Sequence, residues 1–170
     1  MNSNFLDNKF LLNPLRYIFQ IGICIPIFIL LLLLGDVVLR APIVIAVASS
    51  AFTIFVMPKS IASSPRRVIG GHCIAIILGG LFVLILAFTG LNALYEGSTI
   101  FRDVFIAVLV VLSIFIMVVT DTEHPPAAGT ILGICLQDEW SWFSVLFVLI
   151  CMLIMLAIKS ILSSRLINLV

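Results

Sequence analysis

Val104–Thr120 reads VFIAVLVVLSIFIMVVT, and Asp121–Gln137 follows at once as DTEHPPAAGTILGICLQ. The first stretch carries no charge and, at about 1.5 Å per residue, is long enough as a helix to approach the thickness of a bilayer's hydrocarbon core. The second opens on acids, a histidine and two prolines, then turns apolar again. Four further long apolar runs share the character of the first, at 17–34, 41–57, 68–88 and 142–158. The run at 126–137 has only twelve residues, about 18 Å of helix against a core of about 30 Å, so it either re-enters or makes a short crossing.

Composition agrees. Hydrophobic residues make up 63% of the 170, against nine Lys or Arg and eight Asp or Glu, and mean hydropathy is +1.35. A soluble domain of this size cannot bury so much apolar surface. The expectation is an all-α polytopic transmembrane helix bundle, a single domain over 1–170, with the lipid bilayer as solvent. A soluble enzyme, a disordered tail and a disulfide scaffold are excluded. The net charge of +1 gives no pull toward nucleic acid.

Charge asymmetry decides between five and six crossings. With six and a cytoplasmic N-terminus, Lys9, Arg16, Lys59, Arg66, Arg67, Lys159 and Arg165 lie inside, against Arg40 and Arg102 outside. The positive-inside rule then favours six segments with both termini cytoplasmic, in a bacterial plasma membrane. Tyr17 falls at the inner interface, and Trp140 and Trp142 at the outer one. The polar stretch before the first run lacks the pattern of a cleaved signal peptide. Cys24, Cys73, Cys135 and Cys151 each lie in an apolar run without CxxC spacing and read as packing residues.

Two polar heads echo each other. Pro65-Arg66-Arg67-Val68-Ile69-Gly70-Gly71-His72 and His124-Pro125-Pro126-Ala127-Ala128-Gly129 each follow a long apolar run and open the next. Proline suits the first turn of a helix, so Pro65 and Pro125–Pro126 mark helix starts. Free backbone N–H groups and the helix dipole make such starts anion sites. Arg66 and Arg67 add charge, His72 and His124 add donors, and Gly70, Gly71 and Gly129 with Ala127 and Ala128 permit close approach. The same glycines fit a second reading, because Gly71, Ala75 and Gly79, like Gly129 and Gly133, recur every four residues as membrane helices use for packing. On the second span, Ser49 and Ser50 offer hydroxyls along a narrow path.

His124 stands beside Glu123 and near Asp121 without metal-ligand spacing, so no metal or other cofactor is expected. It either titrates, as histidine does near neutral pH, or caps the following helix with its ring bonded to a backbone carbonyl. No nucleotide loop, metalloprotease or nucleophile motif appears, and no enzyme activity is expected.

His124-Pro125-Pro126 followed by small residues resembles the motif that names the HPP family of integral membrane proteins. Pro65-Arg66-Arg67-Val68-Ile69-Gly70-Gly71-His72 is similar to that family's other recurrent stretch, Pro-Arg-x-hydrophobic-x-Gly-Gly-His, and Ser49 and Ser50 fall on the small-residue helix before it. The resemblance covers the chain from the first run to the last. Two departures stand out: an Asn often occupies the place of Arg67, and the small residues after the prolines are ordered differently. Plant and cyanobacterial members are associated with nitrite transport, so the resemblance implies a carrier of a small monovalent anion. The alternative is a non-transporting membrane subunit that binds other helices through its glycine faces; self-association into a homo-oligomer is expected under both.

Overall fold

The computed structural model describes residues 8–26, 28–29, 33, 41–137 and 141–170. The far part of the expected first span and Arg40, Asp138, Glu139 and Trp140 fall largely or wholly outside them. Among the described residues every regular element is helical: α1 Asn8–Leu12, α2 Pro14–Gly22, α3 Ala41–Val56, a 3₁₀ turn Ile61–Ser63, α4 Pro65–Thr89, α5 Asn92–Gly97, α6 Thr99–Val119, α7 Pro125–Cys135 and α8 Trp142–Ile161.

Local chemistry sets these boundaries. Pro65 and Pro125 each occupy the first turn of their helix, where a missing N–H costs nothing. Ser98 and Ser141 cap α6 and α8, accepting from the backbone N–H of Phe101 and Ser144. α4 ends on Gly90, whose φ of 70° is the left-handed turn that glycine adopts without a clash. α6 ends with the same geometry but without glycine. Asp121 has φ 57°, Thr122 N–H donates to the Met117 carbonyl and Asp121 N–H to Val118, the pairing of a Schellman motif.

α4, α6 and α8 are each long and apolar enough to cross a membrane. α7 is the short helix at the centre, packed against α3, α4 and α6, while α8 packs on α3 and α4. Seven of its eleven residues are buried. Its Ile134 joins a core with Ile43, Val47, Ile54, Phe55, Met152 and Met155, and its Ala127, Ile131 and Cys135 join a second with Phe82, Ile106, Leu109 and Met117. One short helix thus separates two cores.

The glycines let it do so. A methyl added at Gly79 would stand 2.7 Å from Ile134 Cγ2, one at Gly70 2.6 Å from Thr122 Cγ2, and one at Gly129 3.3 Å from Ala46 Cβ. Gly71 faces His124 Cβ at 3.0 Å and Ala127 Cβ at 3.2 Å by the same measure. These faces are occupied within the chain itself, as the packing reading expects.

One end of the bundle is tied by side chains. Gln20 is fully buried and its amide donates to the carbonyls of Phe55 (2.6 Å) and Ile167 (2.7 Å) while its Oε1 accepts from Ile167 N–H. Leu169 N–H reaches the Val56 carbonyl that ends α3. Lys159 donates to Ser63 Oγ at 2.9 Å, fixing the 3₁₀ turn to α8.

Candidate functional site

The two polar heads lie side by side at this tied end. Arg67 pairs with both Asp121 and Glu123, and Arg66 donates to the Thr120 carbonyl with Asp121 at 3.6 Å. The sequence reading makes Arg67 a free cation for an anion; the structure gives its charge to two carboxylates on the loop ahead of α7. Arg66 remains well exposed at the rim, with 68% of its side chain accessible. The α7 head also has few free donors. Pro125 and Pro126 have no N–H, and Ala127 N–H is bonded to the His124 carbonyl at 2.8 Å.

Inside the heads, the structure joins residues that the sequence separates by up to 80 positions. His124 Nδ1 lies 2.9 Å from the Ala62 carbonyl, and its Nε2 3.1 Å from Ser50 Oγ. Ser50 Oγ lies 3.0 Å from His72 Nε2, and His72 Nδ1 2.9 Å from Thr130 Oγ1. Ser50, His72, His124 and Thr130 are all fully buried, and the two rings stand 5.2 Å apart. α3, α4 and α7 therefore each contribute to one polar chain at the centre of an apolar bundle.

Its proton directions follow from its ends. A carbonyl only accepts, so His124 Nδ1 donates to Ala62, and the neutral ring leaves Nε2 as an acceptor. Ser50 Oγ also faces the Ala46 carbonyl at 3.0 Å. With two acceptors already competing for the one Ser50 hydrogen, His72 Nε2 must donate to Ser50, and His72 Nδ1 accepts from Thr130. The neutral form of His124, in the loop ahead of α7, is favoured by burial, which pushes its pKa down to about 4 although the Ala62 carbonyl pulls it back in part.

Among the described residues, two pockets lie beside this seam and another at the far end of α7. A cleft of about 710 Å³ between α3 and α7 is lined by Ala46, Ser49, Thr53, Pro125, Pro126 and Gly129, with Phe28 at its edge. Ser49 hydroxyl donates to its own helix at Ile45, so it presents lone pairs rather than a free donor. A smaller pocket of about 200 Å³ touches Glu123, His124, Pro125 and Ala128. At the far end of α7 a cavity of about 490 Å³ is lined by Asn92, Tyr95, Glu96, Arg102 and Gln137 among apolar side chains. Tyr95 hydroxyl holds the Cys135 carbonyl there at 2.6 Å. The sequence reading gave Thr130 and this far cavity no part: a lone threonine in an apolar run and a six-residue helix carry no periodic signal. Among the described residues no three His, Cys, Asp or Glu side chains gather as a metal would need.

The sequence pattern of the HPP transmembrane region matches residues 13–167. The chain belongs to the HPP family. It is thereby an integral membrane protein, and the buried chain runs through both stretches of HPP resemblance: His72 closes one and His124 opens the other. Two transmembrane proteins of Dictyostelium discoideum are similar to this HPP chain, at 36% and 34% identity over 104 residues, 59% of its length in each case. The matched part covers 33% and 30% of those relatives, so the HPP chain corresponds to about a third of their length. No solved structure matches it.

Proposed function

We propose that this HPP protein carries a small monovalent anion, nitrite first among the candidates, across the membrane through the cleft between α3 and α7, with both termini on the cytoplasmic side and no catalytic step. The observation that supports it is the buried Thr130–His72–Ser50–His124 chain, whose sequence neighbours Ser49, Pro125 and Gly129 line that cleft. Buried polar groups among membrane helices are expensive to retain and mark solute or proton paths. Short helices whose ends meet a cavity inside the bundle are likewise a feature of transporters. With Arg67 paired to two carboxylates, the attracting charge in this proposal falls to Arg66, which is exposed and 3.6 Å from Asp121.

The rival reading, a subunit that binds partner helices through glycine faces, loses its main support, because Gly70, Gly71, Gly79 and Gly129 already face Thr122, His124, Ile134 and Ala46 of the same chain. Self-association would have to use other surfaces.

Isotope-labelled nitrite exchange into liposomes holding the purified chain tests the proposal. Exchange above protein-free vesicles, lowered several-fold by Arg66→Ala, is the expected result. Exchange no faster than in protein-free vesicles for nitrite, nitrate, formate and chloride alike would overturn it.

A further inference from the structure

The hydrogens of the buried chain do not match its contacts. Five heavy-atom contacts need a proton: Thr130–His72, His72–Ser50, Ser50–His124, Ser50–Ala46 carbonyl and His124–Ala62 carbonyl. With both rings neutral the four side chains supply four hydrogens: one on Thr130, one on His72, one on Ser50 and one on His124. The shortage falls on Ser50, whose single hydrogen faces both the Ala46 carbonyl and His124 Nε2. One added proton completes the set in only one place. On His124 Nε2 it donates to Ser50 Oγ, which then accepts from both rings and gives its own hydrogen to Ala46. Placed on His72 Nδ1 instead, it displaces the Thr130 hydrogen and leaves the competition at Ser50 unresolved.

We propose that this chain of side chains is a one-proton site centred on His124, loaded when an anion occupies the adjoining cleft, so that the two cross together. This rests on the transport reading above. The surroundings fit a transient charge. From α3 the site meets Ser50, from α4 His72, and from α7 Thr130, all fully buried, with His72 the neutral ring of the hydrogen count above. The one carboxylate next in the chain, Glu123, is paired with Arg67, and Lys159 of α8 is turned to Ser63, one residue from Ala62. No permanent counter-charge is bonded to the ring, so a buried imidazolium lacks compensation until an anion arrives. Pro125 lines both the cleft and the small pocket at Glu123 and His124, which places the anion's route and the proton's route on either side of one residue. The balance is simple: one N–H bond forms at Nε2 when the site loads and breaks when the proton is released with the anion, no bond to carbon forms or breaks, and the pair carries no net charge.

The test uses the full chain in liposomes with labelled nitrite, above the protein-free rate. Self-exchange at equal pH and equal nitrite on both sides reports transport alone. Net uptake is then driven either by an inside-alkaline gradient or by a potassium–valinomycin voltage, with an internal dye counting protons. Net uptake that follows the pH gradient, ignores voltage and brings one proton per nitrite is expected. Because the chain has two histidines, imidazole ¹⁵N spectra of the same protein give a second readout. They should show Nδ1–H on one ring and Nε2–H on the other, with the first converting to imidazolium as nitrite is added. Exchange that persists while net uptake follows voltage, or while neither ring changes with nitrite, overturns the proton site. Loss of self-exchange itself overturns the transport reading instead.

Discussion

A methyl group built on Gly71 would sit 3.0 Å from His124 Cβ, so the glycine of one polar head is the space in which the histidine of the other is seated. Gly71→Ala should therefore push α4 from α7 and lower stability in detergent by about 1–3 kcal/mol, the usual cost of overpacking a tight contact. Gly22, at the end of α2, has nothing within 4 Å of an added methyl. Gly22→Ala should leave the melting temperature unchanged or raise it slightly, and equal losses at both sites would contradict the close α4–α7 contact.

Ser50 and its neighbour Ser49 should respond very differently to alanine. Ser50→Ala leaves His124 Nε2 and His72 Nε2 buried without their partner, a loss of about 1–3 kcal/mol. Ser49 is exposed and bonds only its own helix, so Ser49→Ala should stay within about 0.5 kcal/mol. Thermal unfolding of the two purified variants side by side gives the comparison.

Asp121 combines a left-handed backbone with contacts to both arginines. Alanine keeps neither the side-chain carboxylate nor the tolerance for positive φ, which costs about 1–2 kcal/mol. Asp121→Gly and Asp121→Asn keep the turn and lose the charge. Melting temperatures should rank Asp, then Gly and Asn, then Ala, and adding salt should narrow the gap between Asp and Asn.

Gln20 holds the C-terminal tail through both halves of its amide. Gln20→Leu should free residues 166–170 before the bundle melts, which trypsin cleavage after the exposed Arg165 would reveal as a faster nick at unchanged α-helical content. Cleavage at the wild-type rate would mean that Tyr17 and the Val56–Leu169 bond hold the tail without Gln20.

The all-α membrane fold was legible because lipid imposes it: long uncharged runs can satisfy their backbone groups only as helices. The helix starts at Pro65 and Pro125 were legible too, since proline's chemistry there is local. Contacts across the bundle were not. Nothing in the spacing of Arg67 and Glu123 says that they pair, so the charge expected for an anion is instead neutralised inside the protein. The sequence allows for His124 as a cap on α7 with its ring on a backbone carbonyl; the ring makes no cap bond there and meets the Ala62 carbonyl instead, and its partnership with Ser50, His72 and Thr130 depends on how three helices cross. Asp121 gave no sign of its left-handed turn because glycine is the usual mark of one.

α7 spans eleven residues, about 16 Å, and stops at a cavity lined by Arg102, Glu96 and Gln137. If α7 is a short crossing with water at both its ends, the insulating layer along it is about half as thick as the hydrocarbon core of the bilayer around it. Most of a membrane voltage would fall across that thin layer, where moving one elementary charge involves about 2.3 kcal/mol per 100 mV. A lone anion would cross nearly all of that field in about 16 Å of travel. An anion moving with a proton would feel none.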